Sequence, residues 1–184
     1  ITHNFLERIG IQRFKSELKE SKLRLEDLTG QLVNTFKAPI WGISTNSLWA
    51  YDCLIDAGFT VDNTAKPEVK YALNQKKFDN SPFSYQNEIT IIPPTTIKIL
   101  WKEMLFCGGF YNAYIPYFIQ KKYFKKINSL GLSFNYYCHP FEISPALNKL
   151  QRLSLVPQVG IYSFLYSLHS GIYATLIKKL FNDF

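Results

Sequence analysis

The run LSFNYYCHPFEISP, residues 132–145, is apolar and aromatic until it stops at His139, with Glu142 three residues on. An imidazole held at a strand end can give or take a proton near neutral pH. Two earlier runs end in the same way. QLVNTFKAP closes on Lys37 before Pro39, and FTVDNTAKP carries Asp62 near its end before Pro67. A fixed cation, a carboxylate and an imidazole on three strand tips mark a candidate shared site. They do not by themselves select a reaction.

The elements that must carry these tips follow one rhythm. FKSELKESKLRLEDLTG has Phe14, Leu18, Leu25 and Leu28 at helical spacing, and Gly30 stands where a helix stop belongs. SLWAYDCLIDAG is a second helix closed by Gly58. YFIQKKYFKKINSLG is a third, with Tyr117, Phe118, Phe124, Ile127 and Leu130 as its stripe and Gly131 as its stop. Each helix leads into a short apolar run that reads as a strand. This order predicts an α/β chain with helical crossovers between parallel strands, in which functional residues gather at the carboxyl ends of the strands. A further strand is expected over residues 88–92, before Pro93-Pro94, and Gly108-Gly109 allows close backbone approach. Residues 68–87 read as a polar surface loop. Residues 146–184 read as a C-terminal helical appendage with Ile161, Phe164, Leu165 and Leu168 on one face.

Composition narrows the partners. The 184 residues suffice for one domain or slightly more, and the hydrophobic share of 47% suffices for a core. Aromatic residues make up 16% of the chain, and such rings stack on sugars as well as on each other. The formal charge of +7 is scattered over amphipathic helices, and only KKYFKK (residues 121–126) is a tight cluster, read as a solvated helix face. No groove-reading module accompanies these bases, so no nucleic-acid partner is expected. Cys53, Cys107 and Cys138 form neither a disulfide framework nor a zinc-finger spacing, which favours a reducing, cytoplasmic setting. The stretch 159–177 is too polar for a membrane span, and membrane association is not expected. The chain contains no Gly-rich phosphate loop, no Gly-x-Ser-x-Gly elbow and no His-Glu-x-x-His.

Taken in order, several stretches resemble the polysaccharide deacetylase (NodB-homology) family, in the branch associated with exopolysaccharide loci. They are DLTGQLVNTFKAPIWGIS (residues 27–44), LIDAGFTVDNTAKP (54–67), CGGFYNAYIP (107–116), YYCHPFE (136–142) and the tail LIKKLFNDF. The resemblance implies a distorted (β/α) barrel, here its C-terminal part over residues 1–145, followed by the helical extension 146–184. It implies hydrolysis of N- or O-acetyl groups on an acetylated polysaccharide. It also implies a divalent metal, zinc in the usual case, held by one Asp and two His. His3, in the opening Ile-Thr-His, would be one ligand. The chain opens in mid-pattern, so the Asp pair and the other His are expected upstream of Ile1, and no activity is expected from these residues alone.

On the same resemblance His139 would be the general acid that protonates the leaving amine or alkoxide. Lys37 stands where the family has the Arg that pairs with the base Asp, and lysine lacks the planar fork of arginine. The Ile40 backbone N–H would donate to the oxyanion. Trp41, Asp62 and Tyr111 would serve the substrate side, with Asp62 also bracing its turn. Ala113 falls where the branch commonly has Arg. Each residue has a plainer reading too: His139 bonding backbone beside Pro140, Lys37 pointing outward, Asp62 capping a turn, Trp41 and Trp49 as core. The two altered basic positions keep a second function open, that of a catalytically silent relative which binds glycan or supports exopolysaccharide assembly.

Overall fold

The computed structural model describes residues 6–73, 80–108, 115–132, 134–139 and 172–184. It is a mixed α/β structure that divides into two compact units, residues 1–104 and 105–184. The expected boundary at residues 145/146 falls outside the described residues.

In the first unit, helix α1 (Leu6–Thr29) is interrupted at Gly10, which is not helical. It is followed by β1 (Thr35–Phe36), α2 (Trp49–Asp56) and β2 (Val61–Asp62). Then come α3 (Pro67–Ala72), β3 (Phe83–Tyr85) and β4 (Ile89–Ile91). The sheet order is β1-β2-β4-β3; β1, β2 and β4 run parallel and β3 pairs antiparallel with β4. The parallel strands joined through helices are the expected α/β rhythm. The sheet is open, with β1 and β3 at its edges, and no closed barrel forms among the described residues.

Local chemistry explains why these elements stop where they do. At the end of α2 the Phe59 N–H donates to the Leu54 carbonyl (2.9 Å) and the Gly58 N–H to the Ile55 carbonyl (2.8 Å). With Gly58 at φ +77° and both Leu54 and Phe59 buried, this is a Schellman ending complete with its apolar contact. On α1 the stripe works only at first. Phe14 and Leu18 are buried, whereas Leu25 and Leu28 are exposed, because the described residues supply no element to cover the last turns beyond edge strand β1. The Lys22–Glu26 pair instead clasps Val33, just ahead of that edge strand. Glu26 accepts from the Val33 N–H (2.9 Å) and the Lys22 ammonium donates to the Val33 carbonyl. Both backbone groups of Val33, two residues before β1, thereby gain a partner.

The core of this unit gathers Phe14, Ile43, Tyr51, Leu54, Ile89 and Ile91. Edge-on aromatic contacts run from Trp49 through Phe14 and Phe36 to Phe59, at 5.7, 6.0 and 5.8 Å between centroids. Trp49 is therefore core, as its plainer reading has it. The polar loop expected at residues 68–87 is corrected in part. Pro67, with φ already set for a first helical turn, opens α3, whose Val69 and Lys70 are buried, and Phe83–Tyr85 forms β3. The last strands, β5 (Thr96–Ile99) and β6 (Lys102–Leu105), form a separate two-stranded sheet.

In the second unit, α4 (Tyr117–Ser129) and α5 (Ile172–Asp183) pack on each other. Phe124 is the hub: its ring lies 5.2 Å from Phe106, 4.3 Å from Phe134 in a stacked pair and 6.2 Å from Phe184. The predicted stripe of α4 holds at Phe124 and Ile127 but not at Phe118 and Leu130, which are exposed, while Gln120 is buried. Lys121 is also more than a solvated charge. It donates to Asp183 (2.6 Å), which accepts from the Tyr117 hydroxyl as well, and so fastens α5 to α4. Among the described residues the expected third strand is represented by one parallel bridge, between Gly108 and Tyr137. The appendage face at residues 161–168 lies outside the described residues. Among the described residues no helix is long and apolar enough to cross a membrane.

Candidate functional site

Adjacent parallel strands bring two of the predicted tips together. Phe36 of β1 lies opposite Asp62 of β2, so Lys37 follows directly after the partner of Asp62. The tips are tied crosswise. The Ala38 N–H donates to the Thr64 hydroxyl (2.8 Å), and the Thr64 N–H donates to Asp62 Oδ2 (3.1 Å). The second bond, from residue i+2 back to an aspartate side chain, is an Asx-turn, and it makes Asp62 a brace for its own turn.

Asp62 is 0 % exposed, and Tyr51 of α2 donates its hydroxyl to Oδ2 (3.2 Å). Oδ1 is buried with no hydrogen-bond partner among the described residues. Burial pushes the Asp62 carboxyl up to about 6. Bonds from the Thr64 side chain and backbone and from Tyr51, and the charge of Lys37, pull the other way. The same contact raises the Tyr51 phenol: burial first, then the adjacent Asp62 charge, disfavour a phenolate. A fully buried carboxylate bears on a ligand through what it holds, so the bracing role fits Asp62 better than direct contact with a sugar.

Lys37 is exposed, and its ammonium sits 4.1 Å from the centroid of the Trp41 ring. That is cation–π range. Trp41 itself has φ +56°, an uncommon conformation for a bulky side chain, at the end of the 3₁₀ turn Pro39–Trp41. Such a backbone is kept only when its surroundings over-determine it, at a cost of order 1–3 kcal/mol. The turn thus presents a cation on an aromatic plate at the rim of the sheet, beside an open cleft of about 230 Å³ between α1 and β1 that Lys37 and Pro39 help to line. A carboxylate or a developing oxyanion suits that rim. Ile40 lies inside the same turn; its side chain is outside those described.

His139 belongs to the second unit. It is exposed at the end of the 134–139 segment, with its ring edge-on to Tyr137 at 5.6 Å. Its segment is anchored by the Tyr137 N–H, which donates to the Cys107 carbonyl (2.7 Å). Gly108 makes that approach possible: a Cβ there would stand 2.1 Å from the Tyr137 carbonyl oxygen. His3, Tyr111, Ala113 and Gly109 lie outside the described residues. Among the described residues no group of three His, Cys, Asp or Glu could hold a metal. Cys53, Cys107 and Cys138 are not joined in disulfide bonds.

The sequence singled out Asp62 but not its partners. Thr64 was legible in principle, since Asp-x-Thr is a turn spacing, whereas Tyr51 comes from the preceding helix and carries no local signal.

No curated protein and no solved structure matches the chain significantly. Residues 66–183, more than half of the chain, match the family described as Domain of unknown function (DUF3473), and the chain belongs to that family.

Proposed function

We propose that this chain is the C-terminal part of a metal-dependent polysaccharide deacetylase, which hydrolyses acetyl amides or esters on a sugar polymer. The observation that carries the reading is the pair of strand tips. Lys37 directly follows Phe36, the β1 partner of the buried Asp62 on β2, and the two tips stand in the sequence order of the two blocks that suggested the family. Domains of the matched family often stand at the C-terminal end of polysaccharide deacetylases, which lends indirect support. Lys37 and Asp62 precede the matched residues, and His139 lies within them. On this reading the parallel strands β1, β2 and β4 are a piece of a distorted (β/α) barrel.

The roles follow from side-chain chemistry. Lys37, held on Trp41 beside the Asp62 tip, steadies the base Asp of the family pattern, a residue other than Asp62, as it takes a proton from the attacking water. The Ile40 N–H donates to the oxygen that gains charge as the acetyl carbon becomes tetrahedral. The C–N or C–O bond then breaks, acetate leaves, and His139 delivers the proton to the departing amine or alkoxide. Trp41 and Tyr111 flank the sugar. The divalent metal implied here, zinc, has His3 as its one nominated ligand in this chain, and the described residues do not complete a shell for it.

The test is acetate release from N- and O-acetylated polysaccharides by the natural protein. His139→Ala should lower kcat by about 10²–10⁴-fold with metal content intact. Unchanged turnover would remove the acid role. A wild type that binds these polymers and releases no acetate would favour the silent glycan-binding function instead.

A further inference from the structure

The connection between β5 and β6 is an exposed apolar tip with basic shoulders. Two residues, Leu100 and Trp101, join the strands, which a two-residue connection allows only in antiparallel pairing. Leu100 is 75 % exposed, Trp101 77 % and Ile99 47 %. Leu100 has φ +56°. Glycine fills such a hairpin position without steric cost, so a bulky aliphatic residue there strains the turn and gains no burial in return. The trio is bracketed by exposed Lys98 and Lys102. The hairpin's one acidic residue, Glu103, is half-buried and engaged by the Thr96 hydroxyl.

We propose that this hairpin is a docking tip for an anionic lipid membrane, entering the interface without spanning it. A convex tip offers no pocket for a rigid partner but can enter a deformable surface. Tryptophan favours the membrane–water interface, leucine and isoleucine favour the acyl boundary, and lysines on both shoulders complement anionic headgroups. The chain's charge of +7 acts in the same direction at longer range. This departs from the expectation of no membrane association, which rested on spans and could not register a two-residue tip.

The test uses the natural protein with vesicles of phosphatidylcholine and phosphatidylglycerol, against phosphatidylcholine alone. The mixed vesicles should sediment the protein, high salt should release it, and tryptophan emission should shift to the blue on binding. Leu100→Ser/Trp101→Ser should weaken binding by at least about tenfold and abolish the blue shift, with an unchanged melting temperature because both side chains are exposed. Should that variant fail to fold, Lys98→Glu/Lys102→Glu decides, and it should also weaken binding to the mixed vesicles. Failure of the wild type to bind, or binding that survives these substitutions, overturns the proposal. So does a finding that the same variant abolishes only self-association or polysaccharide binding, since the tip then serves a second copy or a glycan.

Discussion

The two oxygens of Asp62 live in different surroundings: Oδ2 gathers the Thr64 N–H and the Tyr51 hydroxyl, and Oδ1 has no partner among the described residues. The folded carboxyl therefore holds its proton up to about pH 6, while the unfolded one releases it near the ordinary 3.8. Between those values the native state binds more protons than the unfolded state, so this group's contribution to stability falls as pH rises. The contribution is complete below the unfolded value and gone above the folded one. Relative to Asp62→Asn, the wild type should lose about 2 kcal/mol between about pH 4 and pH 7. Urea unfolding of both proteins across that range measures it, and a constant difference would contradict the burial argument. Lys37→Met removes a charge that favours the carboxylate, so the Asp62 midpoint should move upward in a carboxyl NMR titration. At this scale much was legible. Asp62-Asn63-Thr64 announces its turn, and a lysine before Ala-Pro announces a strand end. That Lys37 would sit over Trp41 was not, because nothing local predicts a tryptophan at positive φ.

Among elements, helix endings were the clearest signal. Gly30, Gly58 and Gly131 all take positive φ within two residues of their helix ends, because the chain must reverse there and a Cβ resists it. The β3–β4 turn shows the opposite case. Gln86 and Asn87 both take positive φ, as a primed hairpin turn requires, and no Asn-Gly or Gly-Gly advertises it. Strand pairing supplies the constraint instead, with Tyr85 opposite Ile89. Gly108 is an element-scale glycine of a different kind, since it lets two segments touch. Gly108→Ala should destabilise by more than about 2 kcal/mol, because the new Cβ meets backbone and not a flexible side chain. Thermal unfolding checks this, and a neutral result would mean that the Gly108–Tyr137 bridge is not held in solution.

The described residues form two cores of different character. The first is aliphatic–aromatic, packed between helices and a parallel sheet; the second is a cluster of rings centred on Phe124. Each core has its own hydrogen-bonded surroundings, so local disruption should stay local. In hydrogen exchange, Gly108→Ala should lower protection in α4 and α5 and leave α2 and β4 protected. Uniform loss would show that the two units unfold as one. Asp183→Asn should raise exchange in α5 selectively. In the wild type that tether holds above the ordinary aspartate range and is lost as pH falls, because the Lys121 and Tyr117 bonds keep the Asp183 carboxyl below its usual value.

The sequence by itself determined the alternation of α1, β1, α2 and β2, the glycine stops and the residues at the tips of β1 and β2. Those features are written in neighbouring residues, through φ preferences and apolar period. The tertiary structure decided what the local code cannot carry. Register set Phe36 opposite Asp62, and packing delivered Tyr51 from another helix to a buried carboxylate. It also left Leu25, Leu28, Leu100 and Trp101 in solvent. An apolar period states that a face should be covered; only the arrangement of the remaining elements determines whether anything covers it.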